Sequence, residues 1–232
     1  MDQVREKPWL AHYDPGVPPE IQVPDIPLWR FLEESARRFP QNVALEFLGK
    51  TLSYQELWGL ARRFAQGLKD LGVRPGDRVA IMLPNSPQFV IAFYGTLLAG
   101  GVGVNVNPLY TPRELRHQLA DAGAETLVIL DHLLPRYLEV EKEVPVKRVV
   151  VTGIKDFLPF PKNLLYPLKA KRDGLPLGFP KREGFHAFAE LLKRPPAEPH
   201  VPDPEDLALL QYTGGTTGLS KGAMLTHKNL VA

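Results

Sequence analysis

An α/β fold, with a mainly parallel sheet flanked by helices, is what this sequence predicts, and three observations predict it. Short apolar runs of strand length alternate with longer stretches of helical period. Two capping boxes, Ser53-Tyr54-Gln55-Glu56 and Thr111-Pro112-Arg113-Glu114, each open one of the helical stretches. Glycine and proline turns separate the elements. Strands and helices alternating at this spacing imply right-handed crossovers and parallel neighbours.

Residues 1–27 hold Pro8, Pro15, Pro18, Pro19, Pro24 and Pro27 without any period, which predicts an extended lead-in. Leu28, Phe31, Leu32, Ser35, Ala36 and Phe39 then share one helical face, opposite Arg30, Glu33, Glu34 and Arg37. Val43 to Leu48 reads as a strand. Behind the first capping box, Leu57, Leu60, Ala61, Phe64, Leu68 and Leu71 form an apolar stripe that Gly72 terminates. Arg74-Pro75-Gly76-Asp77 is a turn into a strand over Arg78 to Leu83. Gln88 to Gly100 is apolar nearly all round and predicts a buried helix. Val102 to Val106 is a strand, and the helix after Thr111 carries Pro112 at its first position and closes near Gly123. Thr126 to Leu130 and Arg148 to Thr152 complete an α/β subdomain over residues 28–153, with no fixed-period repeat.

Residues 154–204 read as a basic, Pro-rich insertion or linker. Between 155 and 204 there are ten prolines, and up to Arg194 nine Lys/Arg face four Asp/Glu, a local +5 in a chain of net +2. Proline at that density predicts no long regular element, only one short helix at Phe185 to Leu192. Order resumes over 205–232, where the strand Leu207 to Thr213 feeds a glycine-rich loop and the start of a next subdomain.

Composition excludes several classes. With no cysteine, disulfides, thiolate metal sites and cysteine nucleophiles are ruled out, which fits a reducing cytoplasm. The near-neutral charge and the lack of a recurring basic, aromatic-interleaved stripe argue against nucleic acid as a partner. No secretory signal is expected, because Asp2, Arg5, Glu6 and Lys7 open the chain with no apolar run behind them. No apolar stretch has the length of a membrane span.

The chemistry concentrates in Tyr212-Thr213-Gly214-Gly215-Thr216-Thr217-Gly218-Leu219-Ser220-Lys221-Gly222. Its glycines let backbone N–H groups approach a phosphate chain unobstructed by Cβ atoms. The threonine hydroxyls add donors and a potential ligand for magnesium, and Lys221 adds a point charge suited to phosphate oxygens. A Walker loop is excluded, since Ser220 and Gly222 stand where that pattern needs Gly and Ser/Thr. Ala223-Met224-Leu225 reads as a further strand, which places the loop between strands instead of at a helix start. The bland alternative is an exposed glycine turn.

The stretch YTGGTTGLSKGAMLTH resembles the phosphate-loop signature of the AMP-forming adenylating enzymes, the acyl-CoA synthetase superfamily. Gly214, where many members have serine, and Ser220, where proline is frequent, are departures. LQYTGG, GAMLTH and Val104 to Ala124 (VNVNPLYTPRELRHQLADAGA) are similar to bacterial long-chain fatty acid–CoA ligases, as are Trp9-Leu10 and Val17 to Ile21. The likeness covers most of the chain and is poorest in the insertion. It implies the first part of the large N-terminal domain of that fold and a two-step reaction. A fatty acid is activated by ATP and Mg2+ to an acyl-adenylate with loss of pyrophosphate, and coenzyme A then displaces AMP. Carried over by position, Thr213, Gly214, Gly215, Thr216, Thr217, Gly218 and Lys221 would wrap the β- and γ-phosphates. Thr216 would sit nearest the metal, and Lys221 would steady the departing pyrophosphate, so these two are the expected catalytic residues. The family's adenine and ribose motifs, acidic magnesium ligand, hinge and C-terminal lysine have no counterpart here. A fragment or half of a split enzyme, inactive alone, is therefore expected. An aryl- or medium-chain acid ligase and a non-catalytic subunit are the alternatives.

Other candidates carry structural readings. His227 is expected to pack or cap, and His12, His117, His132, His186 and His200 lack metal-ligand spacing. Asp203 with Glu205-Asp206 reads as a turn, and Tyr110 and Arg113 belong to the capped segment 108–115. Residues 157–172 mix Phe157, Leu158, Phe160, Leu164, Leu165, Tyr166 and Leu168 with the four cations Lys162, Lys169, Lys171 and Arg172, a composition suited either to an anionic membrane surface or to a packed basic loop. The expected partners are the fatty acid, the remainder of the enzyme, that membrane surface and a second copy of the chain as a homodimer. The expected location is cytoplasmic, peripheral at the inner face of the membrane.

Overall fold

The computed structural model describes residues 7–213 and 220–232. After a 3-10 turn at Pro8–His12 the lead-in follows an irregular, mostly exposed path, until Trp29 buries its indole and donates from Nε1 to the His200 carbonyl at 3.1 Å. Helix α1 (Arg30–Arg38) turns Leu32 and Ala36 inward, while Phe31 and Phe39 stay exposed.

The expected strand at 43–48 is one arm of a hairpin. Strand β1 (Val43–Phe47) pairs antiparallel with β2 (Lys50–Ser53) across Leu48-Gly49. Both turn residues have positive φ, 52° and 93°, the two-residue geometry that matches strand twist. The second arm was hidden because Gly49 follows Leu48 instead of an Asn or Asp, and Lys50-Thr51-Leu52 is short.

Helix α2 (Tyr54–Asp70) starts at the Ser53–Glu56 capping box, with both reciprocal bonds present, and Gly72 follows its end at φ 84°. Strand β3 (Arg78–Met82) follows the Arg74–Asp77 turn. Helix α3 (Pro87–Leu98) is capped by Ser86 and buried as expected, and strand β4 (Val102–Asn105) precedes helix α4 (Pro112–Ala122). The Thr111–Glu114 capping box and the left-handed Gly123 bound α4 at its two ends. Strand β5 (Thr126–Leu130) is followed by a 3-10 turn and the short helix α5 (Leu134–Leu138), then by strand β6 (Arg148–Thr152).

Two expectations for the Pro-rich segment are corrected. A long regular element does form there: helix α6 (Lys162–Arg172) has eleven residues with Pro167 inside it. Proline density over fifty residues concealed a stretch with only one proline, which the helix accommodates by forgoing one backbone hydrogen bond. The expected helix over 185–192 is instead strand β7 (Phe185–Ala187) followed by one helical turn, α7 (Phe188–Leu191). The open edge of β6 pairs with Phe185, His186 and Ala187, so tertiary pairing overrides the local pattern. Strands β8 (Leu207–Thr213) and β9 (Lys221–Thr226) and the five-residue helix α8 (His227–Val231) complete the described chain.

The main sheet has the order β7-β6-β5-β3-β4-β8-β9, parallel throughout except for the antiparallel β8–β9 pair. β5 is buried along its whole length, as a parallel strand covered on both faces should be. Over the sheet α2 packs on α3 and on α7 at glycine contacts. A Cβ on Gly95 would lie 2.7 Å from the Phe64 ring, and one on Gly67 would lie 2.5 Å from Leu191 of α7. Residues 197–200 strap the outer side of this pair. Arg62 Nε donates to the Ala197 carbonyl at 2.7 Å, and the His200 amide donates to the Leu98 carbonyl at 2.9 Å. Among the described residues no helix is long and apolar enough to cross a membrane.

Candidate functional site

The glycine-rich loop leaves β8 at its carboxyl end, the edge of a parallel sheet at which α/β proteins bind ligands. It returns directly into β9, so it joins two strands, as the apolar run after Lys221 implied. Thr213 and Lys221 are direct partners in the antiparallel ladder. Residues so opposed carry their side chains on one face of the sheet, so the hydroxyl and the ammonium stand together at the loop's base. Both are exposed. Gly214, Gly215, Thr216, Thr217 and Gly218, with the metal-side role expected of Thr216, lie outside the described residues.

Three contacts fix that base. Tyr212 is buried and donates its hydroxyl to Asp121 Oδ2 of α4 at 2.6 Å. Burial first, and the Asp121 carboxylate second, push the phenol far above its usual range, so it stays protonated and anchors β8 to α4. Gly222, the ladder partner of Tyr212, makes room for the ring: a Cβ there would lie 2.9 Å from Tyr212 Cε2. His117 of α4 has Nε2 3.2 Å from the Ser220 carbonyl. Since a carbonyl only accepts, Nε2 carries the proton and ties the loop's return to α4. Nearby, Gln118 Nε2 donates to the Asn105 carbonyl at 2.7 Å and Asn105 Nδ2 donates to Gln211 Oε1 at 2.9 Å, pinning α4, β4 and β8 at the same edge.

Beside Ser220 an open groove of about 770 Å3 runs along α4, lined by Thr111, Arg113, Arg116 and His117. Arg116 is paired with Glu143 across it. The capping geometry expected for 111–114 holds, and Arg113 additionally faces this groove. Sequence reasoning gave no role to His117, Asp121 or Tyr212. Their contacts join residues 103 and 91 positions apart, and neither residue type nor spacing signals such a pairing.

The remaining candidates behave structurally. His227 is buried at the start of α8 and its Nδ1 accepts from the Leu28 amide at 3.1 Å; burial lowers its pKa. Asp203 and Asp206 close a turn on backbone amides, each bond 2.9 Å. Among the described residues no three His, Cys, Asp or Glu side chains are grouped to hold a metal ion.

The chain is similar to known proteins over most of its length. Residues 32–232 match the family of AMP-binding enzymes. The chain is 44% identical over 231 residues to the long-chain-fatty-acid–CoA ligase of Bacillus subtilis (strain 168), covering 98% of this chain and 41% of that protein. To the enzyme of the same name from Escherichia coli O157:H7 it is 40% identical over 237 residues, again 98% of this chain and 41% of the relative. The crystal structure of a long-chain-fatty-acid-CoA ligase from Archaeoglobus fulgidus matches with a TM-score of 0.74 at 28% identity, covering 94% of this chain and 40% of that one. The chain thus spans 41% of the length of these curated relatives. A glycine-threonine loop closed by a Thr–Lys ladder pair at the carboxyl edge of a parallel sheet, in a chain matched from residue 32 onward, leads to one conclusion: this chain belongs to the AMP-binding enzyme family.

Proposed function

We propose that this chain forms part of an ATP-dependent long-chain fatty acid–CoA ligase. The observation that carries the reading is the ladder pair Thr213 and Lys221, which stand side by side at the two ends of a sequence run rich in glycine and threonine. The names and identities of the Bacillus and Escherichia relatives support a long-chain acid as substrate.

In this reaction the acid's carboxylate oxygen forms a bond to the α-phosphorus of ATP while the α–β bridging oxygen leaves with pyrophosphate. The thiol of coenzyme A then bonds to the acyl carbon of the adenylate, and AMP departs. The work of the loop is electrostatic. Lys221 sets a fixed positive charge beside the phosphates, where negative charge gathers on the leaving pyrophosphate, and Thr213 offers a neutral donor on the same face. Tyr212, held by Asp121, and His117, held on Ser220, keep both ends of the loop from shifting as the charge moves. Magnesium would arrive with ATP and offset phosphate charge, with the Thr216 hydroxyl as its side-chain contact in the loop. We place the activity in the cytoplasm, a reading with which the cysteine-free sequence is compatible.

The test is product analysis on the complete enzyme that contains this chain. With ATP, magnesium, a long-chain acid and coenzyme A it should release acyl-CoA, AMP and pyrophosphate in equal amounts. Release of ADP and phosphate, or no acid-dependent turnover, would overturn the reading. Residues 1–232 alone should show no turnover.

A further inference from the structure

Helix α6 is built the wrong way round for a helix resting on its own domain. Its buried residue is the small Ala170, with Asn163, Tyr166 and Pro167 partly covered beside it. Its leucines face solvent: Leu164 is 64% exposed, Leu165 57% and Leu168 68%, and Phe160 just before the helix is 78% exposed. At about 100° per residue the three leucines span roughly a quarter to a third of the helix circumference. Lys171 lies at one margin of that arc, Lys169 and Lys162 at the other, and Arg172 within it.

A further exposed apolar side chain, Leu48, belongs to a hairpin tip that is tied to the start of α6 from a distant part of the chain. The Lys162 ammonium donates to the Leu48 carbonyl at 2.8 Å, fixing the β1–β2 hairpin tip against the start of α6. Leu48 sits there at φ 52° and 56% exposed, although a turn residue of that conformation is usually polar or glycine. Lys50 adds a cation beside the tip, its ammonium 5.3 Å from the Phe157 ring centre.

The charge around the patch is predominantly positive. No Asp or Glu lies within α6. Asp156 is engaged by the Gly153 amide at 2.9 Å and the Thr152 hydroxyl at 3.0 Å, Asp173 by Arg172 at 3.4 Å, and Glu46 is the hairpin's single carboxylate.

From this arrangement we infer that α6 and the β1–β2 tip form a docking surface for an anionic lipid bilayer. Apolar side chains flanked by long cations match the interface of such a membrane, where leucines enter the acyl boundary and lysines reach the lipid phosphates. Protein interfaces place lysine outside their cores, and a two-fold contact of α6 with itself would set cations against cations. The inference stands apart from the ligase reading, since lipid binding requires neither ATP nor an acid.

The experiment uses the complete enzyme and vesicles of phosphatidylcholine with or without phosphatidylglycerol, at about 0.1 M and about 1 M salt, where the screening length falls from about 10 Å to about 3 Å. Binding should require the anionic lipid and weaken with salt. Changing Lys169, Lys171 and Arg172 together to Gln should lower the partition coefficient roughly 10²-fold. Leu164→Ser with Leu168→Ser should lower it at least about tenfold and remove the salt-resistant part. Unchanged unfolding midpoints confirm that both variants fold. Binding indifferent to phosphatidylglycerol, or unaltered by either variant, would overturn the proposal. So would a change from dimer to monomer in the Ser variant without any lipid binding, which would assign the face to a second copy.

Discussion

Helices α3 and α6 are nearly the same length, twelve and eleven residues, and both carry leucines and at least one aromatic side chain, yet they meet opposite surroundings. α3 carries no charge, and most of its residues are buried between the sheet and α2. α6 carries four cations, buries only Ala170 and turns its leucines outward. The difference lies in what each helix offers a neighbour. Gly95 gives α3 a flat face onto which Phe64 closes, whereas α6 fully buries only the Ala170 methyl, with Asn163, Tyr166 and Pro167 partly covered beside it. Leucine content alone does not decide burial; the opposing surface does.

Truncating one leucine in each helix tests that contrast most strongly. Leu98→Ala should cost about 2–5 kcal/mol, since Leu98 is fully buried. Leu168→Ala should stay within about 0.5 kcal/mol. Urea unfolding of the two variants of the complete enzyme measures both, and equal costs would break the comparison.

A smaller loss is expected from filling the close contact between α2 and α3. Gly95→Ala should destabilise by about 1–3 kcal/mol, because the new methyl meets the Phe64 ring and the Ala61 carbonyl, and a helix backbone yields little. A neutral result would mean that the helices are not in close contact at Gly95.

The smallest effect reads burial through a titration. Burial holds His227 below its ordinary value of 6.5, so the unfolded chain binds more protons in the window beneath that value. Its contribution to stability is complete above about pH 6.5 and is lost as pH falls toward the lowered folded pKa. His186 is shifted in the same direction, so the informative quantity is a difference. His227→Asn, whose Oδ1 can accept from the Leu28 amide, should lose less stability than the parent between pH 7.5 and 5.5. Identical pH profiles would show that His227 does not titrate differently on folding.

What the sequence made legible follows the same division. Apolar runs and capping boxes located β3, β5, β6, α2, α3 and α4, because those elements satisfy their local preferences and their tertiary roles together. The hairpin arm β2 and the edge strand β7 were not legible, since each exists by pairing with a strand whose position the local pattern cannot reveal. At the loop, the strand-to-strand connection that sets Thr213 opposite Lys221 was readable from the apolar runs on either side. The contacts Tyr212–Asp121 and His117–Ser220 were not, because they join α4 to β8 and the loop's return across 91 and 103 positions, a proximity that no local pattern carries.

The proposed function assigns the charge on Lys221 to the departing pyrophosphate, and removing that charge tests this central claim most directly. In the complete enzyme, Lys221→Ala should lower acid-dependent exchange of pyrophosphate into ATP by about 10²-fold or more, the scale of losing one placed electrostatic group. Affinity for the acid and the unfolding midpoint should stay as in the parent, because the side chain is exposed at the loop base. Exchange at close to the parent rate would contradict the assignment of this loop to the phosphates of ATP.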